Sequence, residues 1–289
     1  MMRSPQRVAT AVRLPDGTVE VKSREYRSLS RRIPVLSWPV VRGAVVLVES
    51  LRIGVEALAF SAEAAVKEPA LPKAAGAEGD VPPAPVPETK RRYGTLGLGM
   101  GFTVLVSFAI GFGVFFWLPL FLTDRTGVKD PFLYNLIDGF IRLIFFLCYI
   151  VGIGFWGEMQ RIFQYHGAEH KTIFTLESGL DLTPENASRQ SRFHPRCGTS
   201  FLFLVVLVSF VVFAFLGKPV SIGDRLLRFA LIPVIAGISF EIIRFAGAHP
   251  GNPWVRWISA PGLQLQRLTT REPSRDMLEV AIAALRAVL

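Results

Sequence analysis

Apolar residues along this chain fall into long unbroken blocks. From Thr95 to Leu122 no side chain is charged, and a helix of that length covers about 40 Å, more than the roughly 30 Å hydrocarbon layer of a bilayer. Gly198 to Gly217 is a second uncharged block, and Phe132 to Trp156 is a third, interrupted only by Asp138 and Arg142. Leu226 to Phe245 makes a fourth, with Arg228 near one end and Glu241 and Arg244 near the other; it spans if those side chains reach the interfaces. The pattern predicts a mainly α membrane protein of about four transmembrane helices, with interfacial amphipathic helices and a small N-terminal β-hairpin.

The hairpin lies within residues 1–32, where Val8 to Arg13 and Thr18 to Lys22 alternate around Pro15-Asp16-Gly17, a turn sequence. Within residues 33–66, Arg42, Glu49, Arg52 and Glu56 share one helical stripe opposite an apolar face, which predicts an amphipathic helix with a solvated face, lying in the interface or docked on the bundle, ahead of a re-entrant segment. Six prolines between Lys67 and Arg92 break any periodicity, so residues 67–92 read as a disordered Pro/Ala-rich linker. Residues 93–246 form the four-helix membrane domain, with a loop at 157–198. Residues 247–289 read as a cytoplasmic interfacial segment anchored by Trp254 and Trp257, ending in an amphipathic helix from Met277 to Leu289.

Composition narrows the class. Of 289 residues 51% are hydrophobic and only 19% charged, against about 25% in soluble domains. The mean hydropathy of +0.39 excludes a chiefly disordered chain, and two cysteines exclude a disulfide scaffold. The net charge of +9 is an orientation signal: with four spans and both termini cytoplasmic, 26 of the 32 Lys and Arg lie on the cytoplasmic side and five on the other. The first thirty residues lack the apolar core of a cleavable signal, so the first span is expected to target the chain to the cell inner (plasma) membrane. Anionic lipids are the expected counter-charge. No compact basic motif with interleaved aromatics suggests nucleic acid, and homo-oligomerisation is left open.

The chemistry concentrates in the loop at 157–198, which this topology turns to the cytoplasm. His166-Gly-Ala-Glu169-His170 has the order H-x-x-E-H. If the second span continues as a helix, His166 and His170 share a face about 5–6 Å apart and can hold one zinc ion, with Glu169 beside them as general base. His194 and Cys197 follow just before the third span, where Arg196 and a helix N-terminus favour the thiolate. His166, His170, His194 and Cys197 make a plausible zinc set, catalytic with three protein ligands and structural with four; Glu177 and Glu185 compete for the third place. The plainer explanation is that juxtamembrane histidines hydrogen-bond a neighbour or a lipid phosphate. Cys148 reads as a small hydrophobe within a span, and Thr183 as the cap of a short helix begun by Pro184. Asp138 with Arg142, and Glu241 with Arg244, are functional candidates by their depth, yet neutralising pairs on the bundle interior explain them as well.

Several blocks carry a resemblance: Tyr165-His166-Gly167-Ala168-Glu169-His170-Lys171-Thr172, Leu182-Thr183-Pro184-Glu185-Asn186, His194-Pro195-Arg196-Cys197-Gly198-Thr199-Ser200-Phe201, Ala236-Gly237-Ile238-Ser239 with Glu241, and Pro261-Gly262-Leu263 through Pro273. In these the chain closely resembles the bacterial YqhQ-like family, membrane proteins of uncharacterised domain described as predicted metal-dependent enzymes. Members of that family carry a stretch of the form G-G-Q-A-V-x-E-G-V ahead of the Met-Met-Arg; this sequence does not show it, and no role of that stretch carries over. Two functions stand. One is a membrane-embedded, zinc-dependent, hydrolase-like enzyme. The other is a transporter or assembly factor in which the same residues form a structural metal site or a hydrogen-bonded clamp. A Cys197 nucleophile activated by histidine is a third.

Overall fold

A computed structural model describes residues 1–66, 93–195, 197–249 and 252–289. Pro15-Asp16-Gly17 turns the chain as its composition predicts. Gly17 takes φ +87°, a left-handed conformation that glycine adopts without strain, and strands β2 (Arg7–Arg13) and β3 (Val19–Glu25) pair antiparallel with Arg13 opposite Val19. A short strand β1 (Met2–Arg3) adds to β2, so the hairpin is a three-stranded sheet. Helix α1 (Leu29–Arg32) and a 3-10 turn (Pro34–Ser37) lead into α2 (Val41–Val66).

After the segment 67–92, the expected linker, which lies outside the described residues, the chain becomes apolar. Helix α3 (Tyr93–Phe112), a π-helical segment (Gly113–Trp117) and α4 (Leu118–Arg125) are continuous. Helix α5 (Pro131–Ile153) starts on Asp130, whose carboxylate accepts from Leu133 N at 2.7 Å, with Pro131 in the first turn. The second span, Phe132 to Trp156, does not run on as one helix: the chain turns at Gly154–Trp156 and α6 (Gly157–Glu177) begins anew. Helix α7 (Pro184–Ser188) is capped by Thr183 as expected. There follow α8 (Gly198–Ala214), α9 (Ile222–Ala230), α10 (Ile232–Ala248), α11 (Pro253–Thr269) and α12 (Arg275–Arg286).

Three helical stretches among the described residues are long and apolar enough to cross a membrane: Leu105–Arg125, Pro131–Ile153 and Ile222–Ala248. Helix α8 is uncharged but has 17 residues, about 25 Å. The expected ion pair forms inside the bundle, with Arg142 Nε donating to Asp138 at 2.9 Å. Arg142 also donates to the Phe115 carbonyl at 2.9 Å, an acceptor in the π-helical segment. Arg228 does not reach an interface. It is 1% exposed, donates to Asn135 Oδ1 at 2.7 Å and to the Gly217 carbonyl at 2.6 Å, and lies 3.8 Å from Asp138. Glu241 pairs with Arg42 of α2 rather than with its helix neighbour Arg244. That contact is possible because α2 approaches α10 at Gly237, where a Cβ would fall 2.2 Å from the Val40 carbonyl oxygen.

At the polar end, α12 turns Leu278, Ile282 and Leu285 onto Met2 and Ala9 of the sheet and Ala168 of α6, forming one core. Each such side chain contributes about 1.5–3 kcal/mol on burial. Sheet, α6, α7 and α12 therefore pack as a cap over the site, with α11 joining it to α8.

Candidate metal centre

His166 and His170 stand one turn apart on α6, with ring centroids 4.4 Å apart. The crossing segment after α11 presses on α6 at Gly167, and Arg271 N donates to the Phe163 carbonyl at 2.9 Å. This brings the Thr269 carbonyl to 3.0 Å from His166 Nδ1, while the Arg192 carbonyl lies 2.6 Å from His170 Nδ1. A carbonyl only accepts, so each Nδ1 carries the proton and donates it. Each Nε2 is turned to the opposite side of its ring.

Those nitrogens face a sulfur. Cys197 caps α8, where Thr199 N donates to Sγ at 3.3 Å, and Sγ lies 3.2 Å from His166 Nε2. One ligand atom each from His166, His170 and Cys197 lies within 4.8 Å of the others. Burial favours the neutral thiol and neutral imidazole; hydrogen bonds and charge from the two histidines overcome it at Cys197, and the hydrogen bond and charge of Cys197, together with the Thr269 carbonyl, overcome it at His166. The Cys197 thiol is held down at about 5 and His166 is pushed up to about 9. The pair is a thiolate and an imidazolium at neutral pH. The donor set, two imidazole nitrogens and a thiolate, suits zinc at about 2.0–2.3 Å per bond and leaves a tetrahedral position for a further ligand.

The remaining predicted residues sit around this trio. His194 is 4% exposed and lies beside His170 with its ring tilted, centroids 5.7 Å apart, and with Nε2 3.4 Å from Glu177. Gln266, fully buried, accepts from His194 N and donates to the His194 carbonyl, both at 2.8 Å, which fixes that loop. Glu169 lines a cleft of about 650 Å³ together with His166, and pairs there with the Met1 ammonium. Lys171, 5% exposed, donates to the Ser188 and Gln190 carbonyls and reaches Glu272 at 3.0 Å. Glu185 pairs with Arg275, away from the trio, and Arg196 lies outside the described residues. Asp138, Arg142, Glu241 and Arg244 are not part of this cluster. Thr269, Arg192 and Gln266 complete the site without having been anticipated, because they act through main-chain carbonyls or through contacts distant in sequence, which leave no local pattern.

A family model described as a protein of unknown function (DUF1385) matches residues 38–289. The chain is 32% identical over 284 residues to the uncharacterized protein YqhQ of Bacillus subtilis (strain 168), covering 97% of this chain and 86% of that protein. No solved structure matches the chain.

Proposed function

Because the chain belongs to the DUF1385 family of unknown function, which lends it no activity, we propose from the site itself that it is a zinc-dependent, hydrolase-like membrane protein. Its bundle has four spans in the plasma membrane with both termini cytoplasmic, and anionic lipids meet its basic cytoplasmic face. His166, His170 and Cys197 hold the metal, His194 supports His170, and Glu169 serves as general base. The observation that carries this reading is the pair of carbonyls that claim both Nδ1 atoms, with His166 Nε2 3.2 Å from Cys197 Sγ and one ligand atom of each of the three residues within 4.8 Å of the others. Such outer partners are what orient metal-binding histidines.

Zinc in a three-ligand site supplies a Lewis acid and a water acidified to a pKa of about 7. Hydrolysis consumes one water: its oxygen bonds to the electrophilic centre, the bond to the leaving group breaks, and Glu169 carries the proton to the departing atom. Glu169 faces the cleft, so its carboxylate meets whatever enters. The purified full chain is expected to hold about one zinc by elemental analysis and His170→Ala to hold none. No metal in either protein overturns the proposal.

A structural zinc site is the second reading, favoured by the burial of Cys197 and His170 at 3% and 5% exposure. Cobalt substitution separates the two. Added cyanide shifts the visible bands of a site with an open position and leaves those of a closed four-ligand site unchanged.

A further inference from the structure

The cleft beside Glu169 is built mainly from aliphatic side chains. Val12 of β2, Ala57 and Leu58 of α2, Ile162 of α6, and Val280 and Ala284 of α12 form its walls. Its volume of about 650 Å³ lies within the range of sites that bury a small ligand. Polar groups sit along α6: Glu169 at one end, His166 beside it, and Arg161 about 12 Å from Glu169 and about 7.5 Å from His166 along the axis. Arg161 makes no ion pair among the described residues, whereas Arg13, also on the wall, is paired with Glu279 at 2.8 Å.

The outer face of α2 shows where a ligand enters. Val48, Leu51, Val55 and Leu58 recur at helical spacing and are 67%, 63%, 66% and 66% exposed. An apolar stripe that no described residue covers, on a chain with membrane-spanning helices, faces lipid. Leu58 belongs both to this stripe and to the cleft wall. The cleft is thus continuous with the surface that meets the bilayer, and Arg161 gives its mouth a free positive charge.

We propose that this cleft takes the aliphatic chain of a single-chain anionic amphiphile, which enters from the membrane past Leu58 and presents its polar group to His166 and Glu169. The inference rests on the zinc reading for the reacting end and on the cleft alone for the chain.

Gly54 supplies a clean probe, since it lines the cleft and a Cβ there meets nothing within 4 Å. Gly54→Phe fills the space without crowding the helix. A diazirine-bearing palmitate is added to membranes holding the full chain, irradiated, and the labelled peptides are mapped, with zinc content and thermal unfolding measured on the same samples. Label is expected within residues 54–61 and 280–284. It falls at least tenfold in Gly54→Phe while zinc and thermal stability are kept. The matching diazirine fatty alcohol labels less than the acid, and Arg161→Gln removes that difference. Label confined to the spanning helices, or unaffected by Gly54→Phe, overturns the proposal while a protein that still holds zinc keeps the metal reading intact. Label in the cleft of a protein without zinc does the reverse. Equal labelling by acid and alcohol overturns the anionic preference.

Discussion

A methyl group on Gly167 would put its Cβ 2.2 Å from the Arg271 carbonyl oxygen. That contact is backbone on backbone, so Gly167→Ala must push residues 269–271 off α6 and draw the Thr269 carbonyl away from His166 Nδ1. Overpacking of this kind costs about 1–3 kcal/mol, and loss of an orienting outer partner lowers metal affinity about 10–100-fold. Zinc competition with a chromophoric chelator is expected to show the weakening, and a variant with native affinity would mean that Thr269 does not orient the ring. The histidines and the cysteine were legible in the sequence because their types and spacing carry the chemistry. What holds them was not, since any residue can offer a carbonyl and Gly167 states only that something passes close.

Glu49 shows the same division within an element. The spacing of charged residues on α2 predicts a solvated stripe, yet Glu49 is 8% exposed and accepts from Ser28 Oγ at 2.9 Å, from Leu29 N at 2.6 Å and from the Tyr26 hydroxyl. Periodicity identified the helix but not its neighbour, because the chain leaving β3 covers part of the stripe. Burial raises the Glu49 carboxyl, and these donors outweigh it, holding the group below its ordinary value of 4.5. A depressed folded value means that its stabilisation is complete above pH 4.5 and is lost as pH falls through the lower folded value. Hydrogen exchange of residues 19–32 is expected to speed up below about pH 4.5, and Glu49→Gln should be fast already at pH 7 and lose that acid dependence. Identical acid profiles for the two proteins would remove Glu49 from that account. Helix α11 was not read in the sequence for a related reason: Trp254 and Trp257 mark an interfacial segment without naming its element, and packing on α8 is what the helix rests on.

Across the whole molecule the apolar blocks were legible at once, and what joins them was not. Asp138 lies between Arg142 and Arg228 and serves two helices with one carboxylate. Removing it leaves two guanidinium groups inside the bundle, where breaking a buried pair costs about 3–5 kcal/mol. Asp138→Ala is expected to lower the thermal unfolding temperature in detergent well beyond the change from Asp124→Ala, whose partner Arg225 lies nearer the surface. Equal shifts would show that the buried cluster adds nothing special. The π-helical segment Gly113–Trp117 gives this cluster a mechanical meaning. A π-turn holds one residue more than the α-turn it replaces, so it acts as an insertion that winds the preceding half of the helix by about 100°. Deleting a single residue there would restore the regular ladder, withdraw the Phe115 carbonyl from Arg142 and rotate every side chain before it to a new azimuth. One codon thus couples the charge at the centre of the bundle to the face that its first helix shows the lipid.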